Sequence, residues 1–305
     1  MRTLRHALAA LAAGALIASA HVSAQSPSLD ELLVRTATYV AAFIPQFANI
    51  VAVESYEQRS RQTGGNGRLT PSVPWRLKSD VLLVRHPASP LDWMWFRDVG
   101  EVDGRRVRRE PDRLMKLFAE GAADAVERAA QISYEGAQFH LGAAAVATTN
   151  PLLVLALMQP HYQPRLRFTP GDVQRSSGSD VQVIRFEERE ELAASGARGA
   201  DKLPPLLKDE GRVTGTVSVE VETGRIVRTE ARMGQPPRIF TNATTFVYDT
   251  RFGLSVPKEM RTRWPRDVGV AETTVTAAVE GIATYGNFRR FDVRTDSTIG
   301  RPRQP

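Results

Sequence analysis

The sequence predicts an α+β protein: a curved antiparallel sheet, in the manner of a half-open barrel, covered by helices. Three observations predict it. Strand-like alternation recurs from Gly211 to Val293, each run ended by turn residues. Within those runs one parity is apolar and the other polar, so one face of the sheet meets water and the other needs a cover. Helical periodicity is confined to the region after residue 28 and to the middle of the chain, which supplies that cover.

The strand pattern is clearest at Gly211–Val221. Val213, Val217, Val219 and Val221 share one parity, and Thr214, Thr216, Ser218 and Glu220 share the other. Glu222-Thr-Gly-Arg225 follows as a turn, its glycine free to take positive φ. Alternation then resumes from Ile226 to Arg232, which makes a hairpin. Arg238–Asp249 is rich in Thr, Phe, Ile and Val, residues that fit a pleated surface. Phe252–Pro257 reads as a turn leading into a strand at Glu259–Trp264. Val268–Ala283 reads as one further alternating run, and Tyr285–Val293 closes the chain.

Upstream, Ser28-Leu-Asp-Glu31 is a capping box that opens a helix. Leu32, Leu33, Thr36, Tyr39, Val40 and Phe43 recur at helical spacing, and Pro45 should kink or end the helix. A strand is expected from about Val51, then a flexible turn at Gly64–Gly67. Trp75–Arg85 and Trp93–Val99 are strands, followed by a turn at Val102–Val107 with Asp103-Gly104 at its tip. Helices are expected at Pro111–Ala119 and within the Ala-rich Ala122–Gly142. Leu152–Met158 is either a short buried helix or a strand. Val181–Phe186 is a strand, and Glu187–Lys208 reads as an exposed loop.

The N-terminus carries the most specific signal. Arg2 and Arg5 precede an apolar run from Ala7 to Ala20, and Val22-Ser-Ala24 places small residues before Gln25. This is the form of a secretory signal peptide, and the run is short for a membrane span, which takes roughly 20 residues. The expected organisation is a signal peptide at 1–24, a single α+β domain at 25–298 and a disordered tail at 299–305. The expected location is the periplasm or the exterior, after cleavage near Ala24, with no transmembrane segment in the mature chain. The chain has no cysteine, which rules out thiolate metal sites, thiol nucleophiles and disulfides.

The formal charge is +6, and 35 of the 40 basic residues are Arg. The bias is spread along the chain, and no basic helix or aromatic RNA-binding motif accompanies it, so nucleic acid is not an expected partner.

Certain blocks carry a resemblance. Arg76–Val84, Phe96–Val99 with Glu101–Gly104, Arg113–Phe118 and Ala283–Phe291 resemble a group of uncharacterised secreted proteins of the acidobacterial type. The signal peptide, the Val217–Arg228 hairpin and the closing strand near Phe291 are together similar to the outer-membrane lipoprotein carriers and the related periplasmic regulators of envelope-stress signalling. That resemblance implies a half-open antiparallel barrel with helices as a lid over an apolar cavity, and it transfers no site residue.

Residue chemistry points away from catalysis. His86, His140 and His161 stand in no ligand-spaced motif, and neither HExxH nor G-x-S-x-G occurs. The Glu187–Glu191 acids form a charge run typical of a solvated face. No catalytic residue, metal or cofactor is expected. The aromatic residues Trp75, Trp93, Trp95 and Phe96 are the candidate cavity wall for an apolar ligand, against the plainer reading that they are core. Arg105-Arg-Val-Arg-Arg109 is an exposed basic turn or a dock for an anionic lipid or partner. The function expected is a non-catalytic binding or carrier protein for a hydrophobic ligand such as a lipid or an acyl chain. An envelope protein–protein interaction module comes second and a hydrolase third.

Overall fold

The computed structural model describes residues 27–63, 69–71, 73–86, 89, 91–141, 149–176, 178–189, 212–235, 238–270 and 273–291. The expected signal peptide, the Gly64–Gly67 turn, the body of the Glu187–Lys208 loop and the tail lie outside them.

Helix α1 (Leu29–Phe47) comes first, then strands β1 (Ile50–Thr63), β2 (Leu69–Pro71), β3 (Trp75–Arg85), β4 (Trp93–Val102) and β5 (Arg105–Arg106). Helices α2 (Arg113–Ala119), α3 (Ala125–Ala137) and α4 (Leu153–Leu157) follow. Strands β6 (Leu166–Ser176), β7 (Ser179–Glu188), β8 (Val213–Glu220), β9 (Ile226–Gln235), β10 (Arg238–Asp249), β11 (Leu254–Val270) and β12 (Thr273–Arg290) complete the fold.

Eleven strands form one antiparallel sheet in the order β5-β4-β3-β1-β12-β11-β10-β9-β8-β7-β6, and β2 pairs with β1 beside it. The sheet is open: β5 ends it on one side and β6 on the other. Strands β3 to β5 and β6 to β12 each neighbour in chain order, β5 and β6 lie at opposite edges, and β1 sits between β3 and β12 and so joins the two ends of the chain.

Alternation decides what each face meets. On the inner face Val213, Val217, Val219, Ala231, Met260, Trp264, Val279 and Ala283 are buried. On the outer face Arg–Glu pairs run along the strands, such as Arg228–Glu230 at 2.5 Å and Arg261–Glu259 at 2.7 Å. Such exposed pairs contribute little stability and keep the face wet.

Helix α1 covers the inner face. Its capping box is formed: Ser28 N–H donates to Glu31 Oε2 at 2.8 Å, and Glu31 N–H to Ser28 Oγ at 3.3 Å. Leu32, Leu33, Val40, Phe43, Ile44 and Phe47 face the core, and burying each such side chain contributes about 1.5–3 kcal/mol. The helix does not stop at Pro45 but runs to Phe47. Phe43 and Phe47 stack at 5.2 Å and hold that last turn against the core. Gly224 lies in the predicted hairpin turn at φ +70°, where a Cβ would stand 2.5 Å from the Arg35 carbonyl carbon. The hairpin thus abuts α1 backbone to backbone, and Arg35 Nη1 donates to Val221 O at 2.9 Å.

Two expected boundaries differ. Leu254–Pro257 is already strand, since its backbone pairs with β10. The Val268–Ala283 run is two strands, β11 and β12, which meet on either side of residues 271 and 272. Of the two readings of Leu152–Met158 the helix holds: Leu153–Leu157 is helical, capped by Leu152 and Met158, and all seven residues are buried.

The helical cover is two-sided at one end. Val51, Leu82 and Phe96 face each other across β1, β3 and β4 on the outer face. They are buried beneath Leu114, Leu117 and Phe118 of α2 and Ala125 and Ala129 of α3. Helix α3 also lies along the margin of β4 that β5 leaves unpaired. There Arg97 N–H donates to Ser133 Oγ at 3.0 Å, satisfying an amide of an edge strand. No helix of the described residues is long and apolar enough to cross a membrane.

Candidate functional site

The candidate site grows out of the contact between β4 and α3. Strand β4 sends Trp93 and Trp95 to the inner face and Met94 and Phe96 to the outer one. Helix α3 crosses it so closely that a Cβ on Gly136 would sit 3.1 Å from Val99 Cγ2. Beside this crossing runs a groove of about 910 Å³, lined by Met94, Trp95, Phe96, Ala130, Ser133, Tyr134, Ala137, Gln138 and His140 among others. Tyr134 stands at the groove 77% exposed, an unusual place for a large aromatic ring.

The structure places the four candidate aromatic residues differently. Trp95 and Phe96 both line the groove. Trp93 is buried in the inner core, and Trp75 is half-buried at its rim, where its Nε1 donates to Phe139 O at 2.6 Å. Trp75, Trp93 and Trp95 therefore share the inner face, while Phe96 packs outward against Phe118 at 5.8 Å. The indole N–H groups of Trp93 and Trp95 have no hydrogen-bond partner among the described residues.

A polar network lies deep in the inner face next to the groove. Glu54 is fully buried and receives Arg97 Nε at 2.6 Å and Nη2 at 2.9 Å. Arg97 also reaches Thr149 Oγ1 at 2.9 Å and Thr149 O at 2.8 Å, and Tyr285 Oη donates to Glu54 Oε1 at 2.9 Å. Burial first, and then the Glu54 charge, raise the Tyr285 pKa far above its ordinary value, so it stays a donor. Tyr56 Oη bonds Thr262 Oγ1 at 2.9 Å directly over Gly281, where a Cβ would lie 2.3 Å from the tyrosine oxygen. Gln58 joins His140 Nδ1 at 3.0 Å and accepts from Leu141 N–H at 2.7 Å. Burial, with repulsion from Arg97 second, pushes the His140 pKa down to about 3, so its ring is neutral at ordinary pH. These groups satisfy one another and tie the chain on both sides of residues 142–148 to the sheet.

On the other flank of α3 the surface is ionic. Arg108 and Arg113 both bind the buried Asp98, Arg113 Nη2 at 2.7 Å. Arg108 Nη2 bonds Asp80 Oδ2 at 2.7 Å, and Arg289 Nη1 bonds Asp112 Oδ1 at 2.9 Å. Arg108 lies flat over Gly100, where a Cβ would come within 2.9 Å of its Nε. A cleft of about 580 Å³ opens here, lined by Asp80, Arg106, Arg108, Arg109, Asp112 and Arg289 among others. Asp112 and Asn287 on its wall hold left-handed backbone at φ 59° and 49°, a costly conformation for residues with a Cβ. No group of three or more His, Asp or Glu among the described residues is placed to hold a metal ion.

The fold class defined by this architecture, an open antiparallel sheet with helical covers, has distant counterparts. No protein-family model matches the chain, and no curated protein matches it. Among solved structures, a putative outer membrane lipoprotein-sorting protein domain from Vibrio parahaemolyticus is similar at 10% identity and TM-score 0.37, covering 88% of this chain and 95% of that one. A DUF1329 family protein from Desulfovibrio piger is similar at 10% identity and TM-score 0.33, covering 87% and 93%. Lipovitellin, described for its lipid–protein interactions, is similar at 8% identity and TM-score 0.28, covering 82% of this chain and 26% of that one. The functional reading rests on the residues of this chain.

Proposed function

We propose that the protein is an exported, non-catalytic binding or carrier protein that takes a hydrophobic ligand in the groove between β4 and α3. The observation that carries this reading is the groove itself. At about 910 Å³ it has room for an acyl chain, and Met94, Trp95, Phe96, Ala130, Tyr134 and Ala137 give it a largely apolar wall. The polar groups nearby are already engaged: His140 with Gln58, and Arg97 with Glu54 and Thr149. The signal-peptide pattern before Gln25 supports a place in the envelope.

The test is native mass spectrometry of the chain from residue 25 onward, purified from the periplasm, with organic extraction of what is bound. The expected result is a stoichiometric apolar ligand. Ala130→Trp fills the groove from an exposed helix position and should abolish loading without lowering the melting temperature. A clean unliganded mass that survives incubation with envelope lipids would overturn the reading. A docking module is the second reading, favoured by the exposure of Tyr134 at the groove.

A further inference from the structure

Among the described residues, two arginines beside the site make no ion pair. The acids of the cleft are spoken for: Asp80 by Arg108, Asp112 by Arg289, Glu101 by Lys78 and Glu110 by Lys116. Arg108 and Arg113 are held by Asp98. Arg106 and Arg109 line the same cleft, and neither side chain makes an ion pair or hydrogen bond among the described residues, although Arg106 stands across the β4–β5 pair from Glu101. A pair of guanidinium groups without ion-pair partners in a concave wall is a fork-shaped donor set for phosphate or carboxylate.

This cleft is continuous with the apolar groove. A second pocket, of about 430 Å³, shares Arg108, Arg109 and Glu110 with the cleft. It shares Glu135 and Gln138 with the groove. An apolar wall therefore passes round the C-terminal turn of α3 into an arginine-lined one. Glu135 stands at the junction, 3.8 Å from Arg113, which it shares with Asp98.

We propose that the ligand is an anionic amphiphile, its chain in the β4–α3 groove and its charged head on Arg106 and Arg109. The inference rests on the groove being the ligand site and adds the class of head group. The occupant is a single lipid molecule with a phosphate or carboxylate head.

The test compares two short-chain phospholipids kept below micelle formation, dihexanoyl-phosphatidylglycerol and dihexanoyl-phosphatidylcholine, by calorimetry on the mature chain. Inorganic phosphate serves as a third probe. Wild type should bind the anionic lipid about tenfold more tightly than the zwitterionic one, a preference that shrinks as salt screens it. Arg106→Ser/Arg109→Ser should weaken the anionic lipid most and bring the two within about twofold of each other. Both side chains are exposed and unpaired, so the double variant should keep the wild-type melting temperature. Equal binding of the two lipids by wild type, or a preference that survives the double variant, would overturn the anionic head and leave the groove reading standing. Failure of both lipids to bind would overturn both. Tight binding of phosphate alone, with no gain from the attached chain, would show an anion site and overturn the amphiphile.

Discussion

A buried carboxylate and a buried guanidinium define the chemistry at the residue scale. Glu54 of β1 and Arg97 of β4 meet over the inner face of β3, and Tyr285 and Thr149 complete the bonding. Removing one partner strands a charge out of water, which costs about 3–5 kcal/mol, whereas replacing both with apolar groups of similar size is close to neutral. Arg97→Met should therefore lose roughly that much stability in urea titration, and Glu54→Leu/Arg97→Met should recover most of it. A double variant as unstable as the single one would show that the pair contributes more than its mutual compensation. His140 makes a pH prediction. Its folded pKa of about 3 lies below its ordinary 6.5, so the unfolded chain takes up the proton first. Its contribution is complete above pH 6.5 and is lost as the pH falls toward 3, by on the order of 1.4 kcal/mol per pH unit. Between pH 7 and 5 the wild-type urea midpoint should fall more steeply than that of His140→Gln; parallel curves would refute the buried neutral ring.

The element that governs the candidate site is the α2–α3 pair, which holds the outer face of β3 and β4. Leu114 is fully buried there against Leu82 and Phe96. Leu114→Ala should cost about 2–5 kcal/mol through the cavity it leaves. Hydrogen exchange should show β4 amides losing protection before those of β9 and β10, because α3 shields the β4 margin. Uniform loss across the sheet would mean that the pair unfolds only with the whole. Sequence and structure meet unevenly at this scale. The hairpin at Glu222–Arg225 and the capping box at Ser28 were legible because each rests on local chemistry, a positive-φ glycine and a reciprocal side-chain bond. The second cover was not drawn from the pattern, although a signal existed. Val81-Leu-Leu-Val84 is an unbroken apolar run, and a strand buried on both faces reads that way.

For the whole molecule, the α+β class and the antiparallel meander followed from periodicity, which carries face and order. Periodicity carries no information about which polar groups meet across 43 residues, as Glu54 and Arg97 do, so the buried network stayed hidden. Parity did show Trp93 and Trp95 on one face. That the groove wraps the margin of β4, bringing Phe96 from the opposite face beside Trp95, depends on where α3 crosses. The basic turn at Arg105–Arg109 was legible as charge, but the division of its arginines into bonded and free ones required Asp98 and Asp80, which lie on other parts of the sheet.

The pairing of β1 with β12 sets a clock. Ile50 pairs with Arg290 at the far end of the chain. A ribosome adding about 5–20 residues per second would leave β1 without its neighbour for on the order of 10–50 s. Through that interval the centre of the sheet stays unzipped, and the inner-face residues of β1 and β11 remain a client surface for holdase chaperones. A chain cut short before its last strand has no seam to close, so completeness of the polypeptide becomes a condition of its protease resistance.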